Sequence, residues 1–184
     1  MHSIKRYAAN YILPVNSLPV HNGIIEIQGL QVVKIIKPEP VFREIENTRF
    51  YNGILIPGFI LPGALPRGTK FNFVKDWKEL ESLLGGKEIN EMDICLQNLS
   101  SGENTEETFS RVKEITLKLP HLDFSEILRW VTINPSIALG IDKNTGSLDV
   151  GKTPGILWIG NFDFERFTLR ENSFIKELVS RGYS

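Results

Sequence analysis

The sequence predicts an α+β fold with strands at both ends of the chain and helices between them. Three observations predict it. Between Tyr7 and about Ile60 the apolar residues come in β-branched runs, first Ile24, Ile25 and Ile27, then Val32, Val33, Ile35 and Ile36, which suit a pleated, half-buried surface. Phe109, Val112, Ile115 and Leu119 recur instead at helical spacing. From Gly155 the strand pattern returns in Ile156-Leu157-Trp158-Ile159.

The first two runs hinge at Gln28-Gly29 and read as a hairpin, and Pro38 and Pro40 suit the loop that follows. Asn52-Gly53 is a turn signal that leads into a third strand over Ile54 to Ile56. Between Pro62 and Asn104 the glycines and prolines punctuate the chain, leaving room for one short helix from Lys75 to Leu84. Thr105 can cap the helix that carries Phe109 to Leu119, and Pro120 ends it. A second helix starts near Asp123, with Glu126 three residues on as its capping-box partner, and turns Ile127, Leu128 and Val131 inward. After Ile159 come a turn over Asn161 to Arg166 and a short strand over Phe167 to Leu169. The tail from Phe174 to Val179 is compatible with strand or helix.

Composition narrows the class of function. With 41% hydrophobic and 23% charged residues the chain can bury a core, so disorder is not expected. A formal charge of −1 without a basic cluster gives no electrostatic reason to expect nucleic acid or an anionic membrane as partner. The single cysteine, Cys95, excludes an intrachain disulfide and reads as a small buried hydrophobe. No run of about 18 apolar residues occurs, so a soluble, cytoplasmic protein is expected.

Ordered short motifs carry more than composition does. Asn22-Gly23-Ile24-Ile25-Glu26-Ile27-Gln28-Gly29 and Asn52-Gly53-Ile54-Leu55-Ile56-Pro57-Gly58-Phe59-Ile60 stand near the beginning. Leu128-Arg129-Trp130-Val131-Thr132-Ile133-Asn134-Pro135, Ala138-Leu139-Gly140-Ile141 and Gly146-Ser147-Leu148-Asp149-Val150-Gly151-Lys152 stand near the end. In this order they resemble the opening and closing of the metal-dependent amidohydrolase superfamily, over roughly residues 7–60 and 105–160. The resemblance implies a small composite β-sandwich formed by residues 1–60 and 150–184, with 61–149 as a helical remnant of the catalytic barrel. A (β/α)₈ barrel takes about 250 residues, more than the 184 present.

In relatives the strand ending in Pro-Gly-Phe is followed by a His-x-His pair that binds zinc, iron or manganese, and a late aspartate handles the proton of the metal-bound water. Here Gly63 and Leu65 stand where the two histidines belong, and the aspartate position aligns with Asn98. An amide cannot replace a carboxylate as proton acceptor near neutral pH. The three histidines of the chain, His2, His21 and His121, form no ligand-like pair. The resemblance therefore implies the fold without its metal, its catalytic residues or a bound cofactor.

A competing motif is present. Gly146-Ser147-Leu148-Asp149-Val150-Gly151-Lys152-Thr153 matches G-x-x-x-x-G-K-[ST] letter for letter. A phosphate loop needs a strand before it and a helix after it, and this one has the reverse, so Gly146, Gly151, Lys152 and Thr153 are expected to be structural. Glu88, Glu91 and Asp93, and Glu103, Glu106 and Glu107, read as solvated faces or helix-dipole partners, not as cation sites. Ser100, Ser101 and Ser110 have no base in a nucleophile arrangement, and Trp77, Trp130 and Trp158 read as core or interface anchors. The expectation is a non-catalytic binding or assembly module. It pairs as a homodimer through the helix faces Phe109 to Leu119 and Ile127 to Leu139, which barrel loss would expose. The alternative is a hydrolase of non-peptide carbon–nitrogen bonds whose site another subunit completes.

Overall fold

Each β-branched run found in the sequence becomes a strand, and the strands of the two chain ends join in one sheet. The computed structural model describes residues 3–38, 45–63, 68–85, 93–97 and 104–182. The first half holds β1 (Ile4–Ile12), β2 (Val20–His21), β3 (Ile24–Gln28), β4 (Gln31–Ile36) and β5 (Thr48–Pro57). The middle holds β6 (Asn72–Val74), α1 (Trp77–Leu84), β7 (Ile94–Leu96), α2 (Thr105–Lys118), α3 (Phe124–Arg129) and α4 (Ile133–Ala138). β8 (Ile156–Gly160) and β9 (Phe174–Val179) close the chain.

The main sheet has seven strands in the order β4-β3-β1-β5-β8-β9, with β2 beside β1. The two chain ends meet at β5 and β8, an antiparallel pair that sets Ile54 opposite Ile159 and Pro57 opposite Ile156. Among the described residues these strands lie in one continuous sheet. β6 and β7 form a separate parallel pair.

That sheet is strongly curled. Laid flat, the five gaps from β4 to β9 would hold its edges about 24 Å apart. Yet Val32 N–H on β4 donates to Lys152 O at 2.9 Å, and Gly182 N–H, just past β9, donates to Thr153 O at 3.0 Å. Adjacent carbonyls of one short segment thus hold Val32 of β4 and Gly182 beyond β9, which places those two residues within about 12 Å of each other. Gly151 N–H returns a bond to Val32 O at 2.8 Å, so residues 148–153 act as a strap across the concave face. Beneath the strap lie Tyr7, Ala9, Ile12, Ile25 and Ile27, all buried, with Leu148 of the strap packed among them.

The strap is held by its own charges. Asp149 Oδ2 accepts from Ser147 Oγ at 2.7 Å and Asn16 Nδ2 at 2.9 Å, and Lys152 Nζ lies 3.2 Å away while donating to Ser147 Oγ at 2.7 Å. Gly146 enters it at φ 85°, and a Cβ there would fall 2.6 Å from Ser136 Cβ. Burial works to raise the Asp149 pKa, but the hydrogen bonds from Ser147, Asn16 and Lys152 outweigh it and hold the carboxylate below its usual value.

The helices cover the other face. Phe109, Val112 and Ile115 of α2 and Ile127 and Leu128 of α3 pack with Ile54, Ile56, Leu157 and Ile159 of the sheet, joined by Trp130 and Val131. The inward sides of α2 and α3, expected to stay open for a homodimer, are covered by the chain's own strands, whereas Leu117, Ile137 and Leu139 within the same spans remain exposed. Asn104, not Thr105, caps α2, because its amide oxygen accepts from both Glu106 N–H and Glu107 N–H while Thr105 is already helical. Asp123 caps α3 through Ser125 N–H, as its carboxylate suggests.

Two expected turns and strands differ. Asn52-Gly53 lies inside β5 and makes no turn. Gly53 is required there for close approach, since a Cβ would sit 2.0 Å from Ile159 O of β8. Residues 167–169 form no strand; one bridge joins Asp163 to Thr168, with Phe167 at φ 53° between them. The tail resolves as strand β9, whose Ile175 and Val179 are buried on opposite faces of the sheet.

Gly53→Ala forces a backbone carbonyl of β8 aside and should cost about 3 kcal/mol, read as a lower urea midpoint at unchanged m-value. Because the folded Asp149 pKa lies below its unfolded value, its stabilisation is present above about pH 4 and lost as pH falls through the folded value. Thermal melts should accordingly show a steeper acid-side loss of Tm in the parent chain than in Asp149→Asn.

Candidate functional site

The position implied for a metal lies where β5 runs out beside the parallel pair. Pro57-Gly58 leaves the sheet with Gly58 N–H donating to Pro154 O at 3.2 Å, and Ile60 N–H then donates to Val131 O at 2.7 Å. Arg181 Nη1 fixes Phe59 O at 3.0 Å. This route brings the exposed Gly63 to the carboxyl ends of β6 and β7, the end at which barrel enzymes build their sites. There Gln97 N–H donates to Val74 O at 2.9 Å, and its side-chain Nε2 donates to Gly63 O at 3.1 Å.

An arginine ties this end shut. Arg111, half-buried on α2, donates from Nη1 to Gln97 O at 2.7 Å and from Nη2 to Lys75 O at 2.6 Å. One guanidinium thus staples the residues that follow both parallel strands. Burial lowers its pKa, and Glu107, Asp76 and Glu114 oppose that shift; an arginine remains a cation under either influence. Beside it a cleft of about 340 Å³ opens between α1 and α2, with Val74, Trp77, Leu80 and Ile115 among its walls.

The donors at this end do not suit the zinc, iron or manganese that the resemblance implies. Gly63 offers only a carbonyl oxygen, already bonded. Gln97 Oε1 is buried without a hydrogen-bond partner among the described residues, and an amide oxygen is a neutral, weak ligand beside the imidazoles and carboxylates these ions take. Cys95, in β7, is fully buried; burial first and then Asp93 push its thiol up to about 12, so no thiolate is available near neutral pH. Leu65 and Asn98 lie outside the described residues. His21 packs on Tyr11 at 4.8 Å and His121 is exposed on the α2–α3 corner, so the two described histidines stand on different elements. Among the described residues no group of three or more His, Cys, Asp or Glu could hold a metal.

The phosphate-loop lookalike is spent on the strap. The N–H groups of Leu148, Gly151, Lys152 and Thr153 donate to the carbonyls of Pro14, Val32, Asp149 and Asn144. None of the four is left to converge on a phosphate. Lys152 Nζ is engaged by Ser147 and Asp149, and β8 follows where a phosphate loop has a helix.

Of the acidic residues weighed in the sequence, Asp93 pairs with Lys70 at 3.4 Å, and Glu106 and Glu107 sit in the first turn of α2. Glu88, Glu91 and Glu103 lie outside the described residues. Trp130 is fully buried, while Trp158 packs against Tyr51 and Phe174 and Trp77 carries Lys118 over its ring at 4.4 Å. Sequence reasoning missed Gln97 and Arg111. Arg111 falls between the apolar positions of α2 and looks like any solvated arginine until the chain brings two carbonyls to it. Among the described residues no helix is long and apolar enough to cross a membrane.

The amidohydrolase family model matches residues 61–171. No curated protein matches the chain. Among solved structures, N-acetylglucosamine-6-phosphate deacetylase from Pasteurella multocida aligns with 90% of this chain and 97% of its own, at TM-score 0.57 and 10% identity, a likeness of fold alone. Ochratoxinase from A. niger aligns with 38% of this chain at TM-score 0.27 and 14% identity, and N-acetyl-D-glucosamine-6-phosphate deacetylase from Mycobacterium smegmatis with 32% at TM-score 0.26 and 19% identity. The chain spans only 18% and 15% of those two proteins. The family match runs over more than half of the chain, from the exit of β5 through the helices and the strap to the turn before β9, and on that match the chain belongs to the amidohydrolase family.

Proposed function

We propose that this chain is a non-catalytic member of the amidohydrolase family that works as a binding or assembly module. The observation that carries the reading is the donor set at the carboxyl ends of β6 and β7. Where the family's chemistry calls for imidazoles, Gly63 contributes a backbone oxygen held by Gln97, and Arg111 staples the adjacent carbonyls. A divalent ion that activates water needs several charged or imidazole ligands together with an open position.

In this reading residues 1–60 and 150–184 correspond to the composite β-sandwich domain of the family, and 61–149 to what remains of the barrel. The curled sheet and its strap support that correspondence, because they bury both chain ends in one unit. The protein is expected to work in the cytoplasm without a bound cofactor. A homodimer would have to form through surface other than the buried helix faces.

Protein purified without chelators and dialysed against Zn²⁺, Fe²⁺ or Mn²⁺ should retain less than about 0.1 metal ion per chain by elemental mass spectrometry. It should also leave N-acyl amino sugars and cyclic amides unhydrolysed. Near-stoichiometric retained metal with turnover would overturn the reading in favour of a hydrolase of non-peptide carbon–nitrogen bonds. The Cys95 thiol should be inert to a disulfide reagent at pH 8 in the folded protein and react once the chain is unfolded in urea, as its burial and raised pKa require.

A further inference from the structure

The corner between α2 and α3 and the turn at residues 163–170 enclose a cleft of about 540 Å³, within the range that holds small organic ligands. Its floor is apolar, with Leu122, Phe124 and Leu169 buried beneath it. Its rim is charged, carrying Asp123, Asp163, Arg166 and Arg170 together with His121.

Most of these charges already serve the fold. Asp123 Oδ1 accepts Ser125 N–H at 2.7 Å as the cap of α3. Asp163 Oδ1 accepts the N–H groups of Glu165 and Arg166 at 3.1 Å each, while its Oδ2 lies 3.5 Å from Arg170 Nε. The Arg166 guanidinium has no acidic partner among the described residues. Asp123 and Arg166 are thus the two rim charges outside an ion pair among the described residues; Asp123 is engaged as the cap of α3, and Arg166 is the rim arginine whose N–H fork no carboxylate occupies.

The turn that carries Arg166 is also fixed in place. Asp163 and Thr168 exchange both backbone hydrogen bonds, at 2.9 and 3.1 Å. Phe167 is held at φ 53° with its ring edge-on to Tyr11 and to Phe162, each at 5.2 Å. A non-glycine residue in this conformation persists only where its surroundings over-determine it. Arg166 is thus presented beside the cleft on a rigid loop, which lowers the entropy a ligand must overcome.

We propose that this cleft binds a small carboxylate with an apolar body. Arg166 takes the carboxylate through its two-pronged N–H fork, and the floor at Leu122, Phe124 and Leu169 takes the body. Because Arg166 is exposed, the ion pair is screened by solvent, so binding is weak and sensitive to salt.

The test is a ¹⁵N–¹H NMR titration of the full chain with benzoate, with benzamide as an uncharged body of the same shape and phenyl phosphate as the competing anion. Benzoate should shift amides within 117–124 and 163–170, saturate in the millimolar range and weaken in 0.5 M NaCl. Benzamide should bind at least about tenfold more weakly, and Arg166→Gln should weaken benzoate by about tenfold. Arg166→Lys, which keeps the charge and loses the fork, should recover only part of that loss. The substituted residue is exposed, so spectra outside the cleft should stay unchanged. Benzamide or Arg166→Gln binding as well as the parent pair would overturn the proposal. So would the lack of any saturable shift, or phenyl phosphate binding where benzoate does not. The proposal rests on the binding-module reading, and the two fail separately. Metal retained with turnover overturns that reading without moving the amides of the 163–170 turn, whereas benzoate that leaves them unmoved overturns the cleft alone.

Discussion

Two adjacent carbonyls, those of Lys152 and Thr153, hold the structure in its shape. They accept from Val32 on the first edge of the sheet and from Gly182 beyond the last strand. Without that bridge a six-strand path from β4 to β9 would spread, and the side chains of Tyr7, Ile25, Ile27 and Leu148 would face water on its concave side. Burial of that many large apolar side chains is the strongest favourable term available to a chain this size. Its geometry depends on a segment of six residues. The polar network of Ser147, Asp149, Lys152 and Asn16 exists to fix that segment, and this is where the glycines and the lysine of the phosphate-loop lookalike find their use.

Closure of one face lets the other serve the helices. Alternation along β5 and β8 sends Leu55 and Ile156 under the strap and Ile54, Ile56, Leu157 and Ile159 toward α2 and α3. Both faces of the central strands are buried, which explains why their sequences read as nearly continuous apolar runs. The parallel pair β6–β7 is tied to the rest by one main-chain bond from Leu96 N–H to Trp130 O and by the Arg111 staple. The same contacts that hold these two strands in place leave Gly63 bonded to Gln97. These bonds occupy the carboxyl ends of β6 and β7, and it is on them that the proposed non-catalytic reading rests.

Much of the fold was legible in the sequence because it follows from local patterns. The hairpin at Gln28-Gly29, the helix over Phe109 to Leu119 and the capping carboxylate of Asp123 each need only a few neighbouring residues to specify them. Errors arose where distant residues decided the outcome. Asn52-Gly53 carries a turn signal, yet β8 lies against it and converts the glycine into a point of close approach within a strand. The inward helix faces looked exposed only while the barrel was taken as their natural cover; the sheet face opposite the strap covers them, and Leu117, Ile137 and Leu139 stay exposed. At the position implied for a metal the sequence offers Gly63, Leu65 and Asn98 in place of the histidines and aspartate that the resemblance calls for. What fills the place of the site was not legible, because nothing in sequence spacing links Arg111 to the carbonyls of Lys75 and Gln97.

Hydrogen exchange on Lys152→Met, compared with the parent chain, tests the strap most directly. If the strap closes the sheet, the amides of Val32 and Gly182 lose protection together while those of β5 and β8 keep theirs, because one loosened segment releases both edges at once. Unchanged protection at both amides, or loss at one edge only, would contradict the claim that residues 148–153 hold this fold closed.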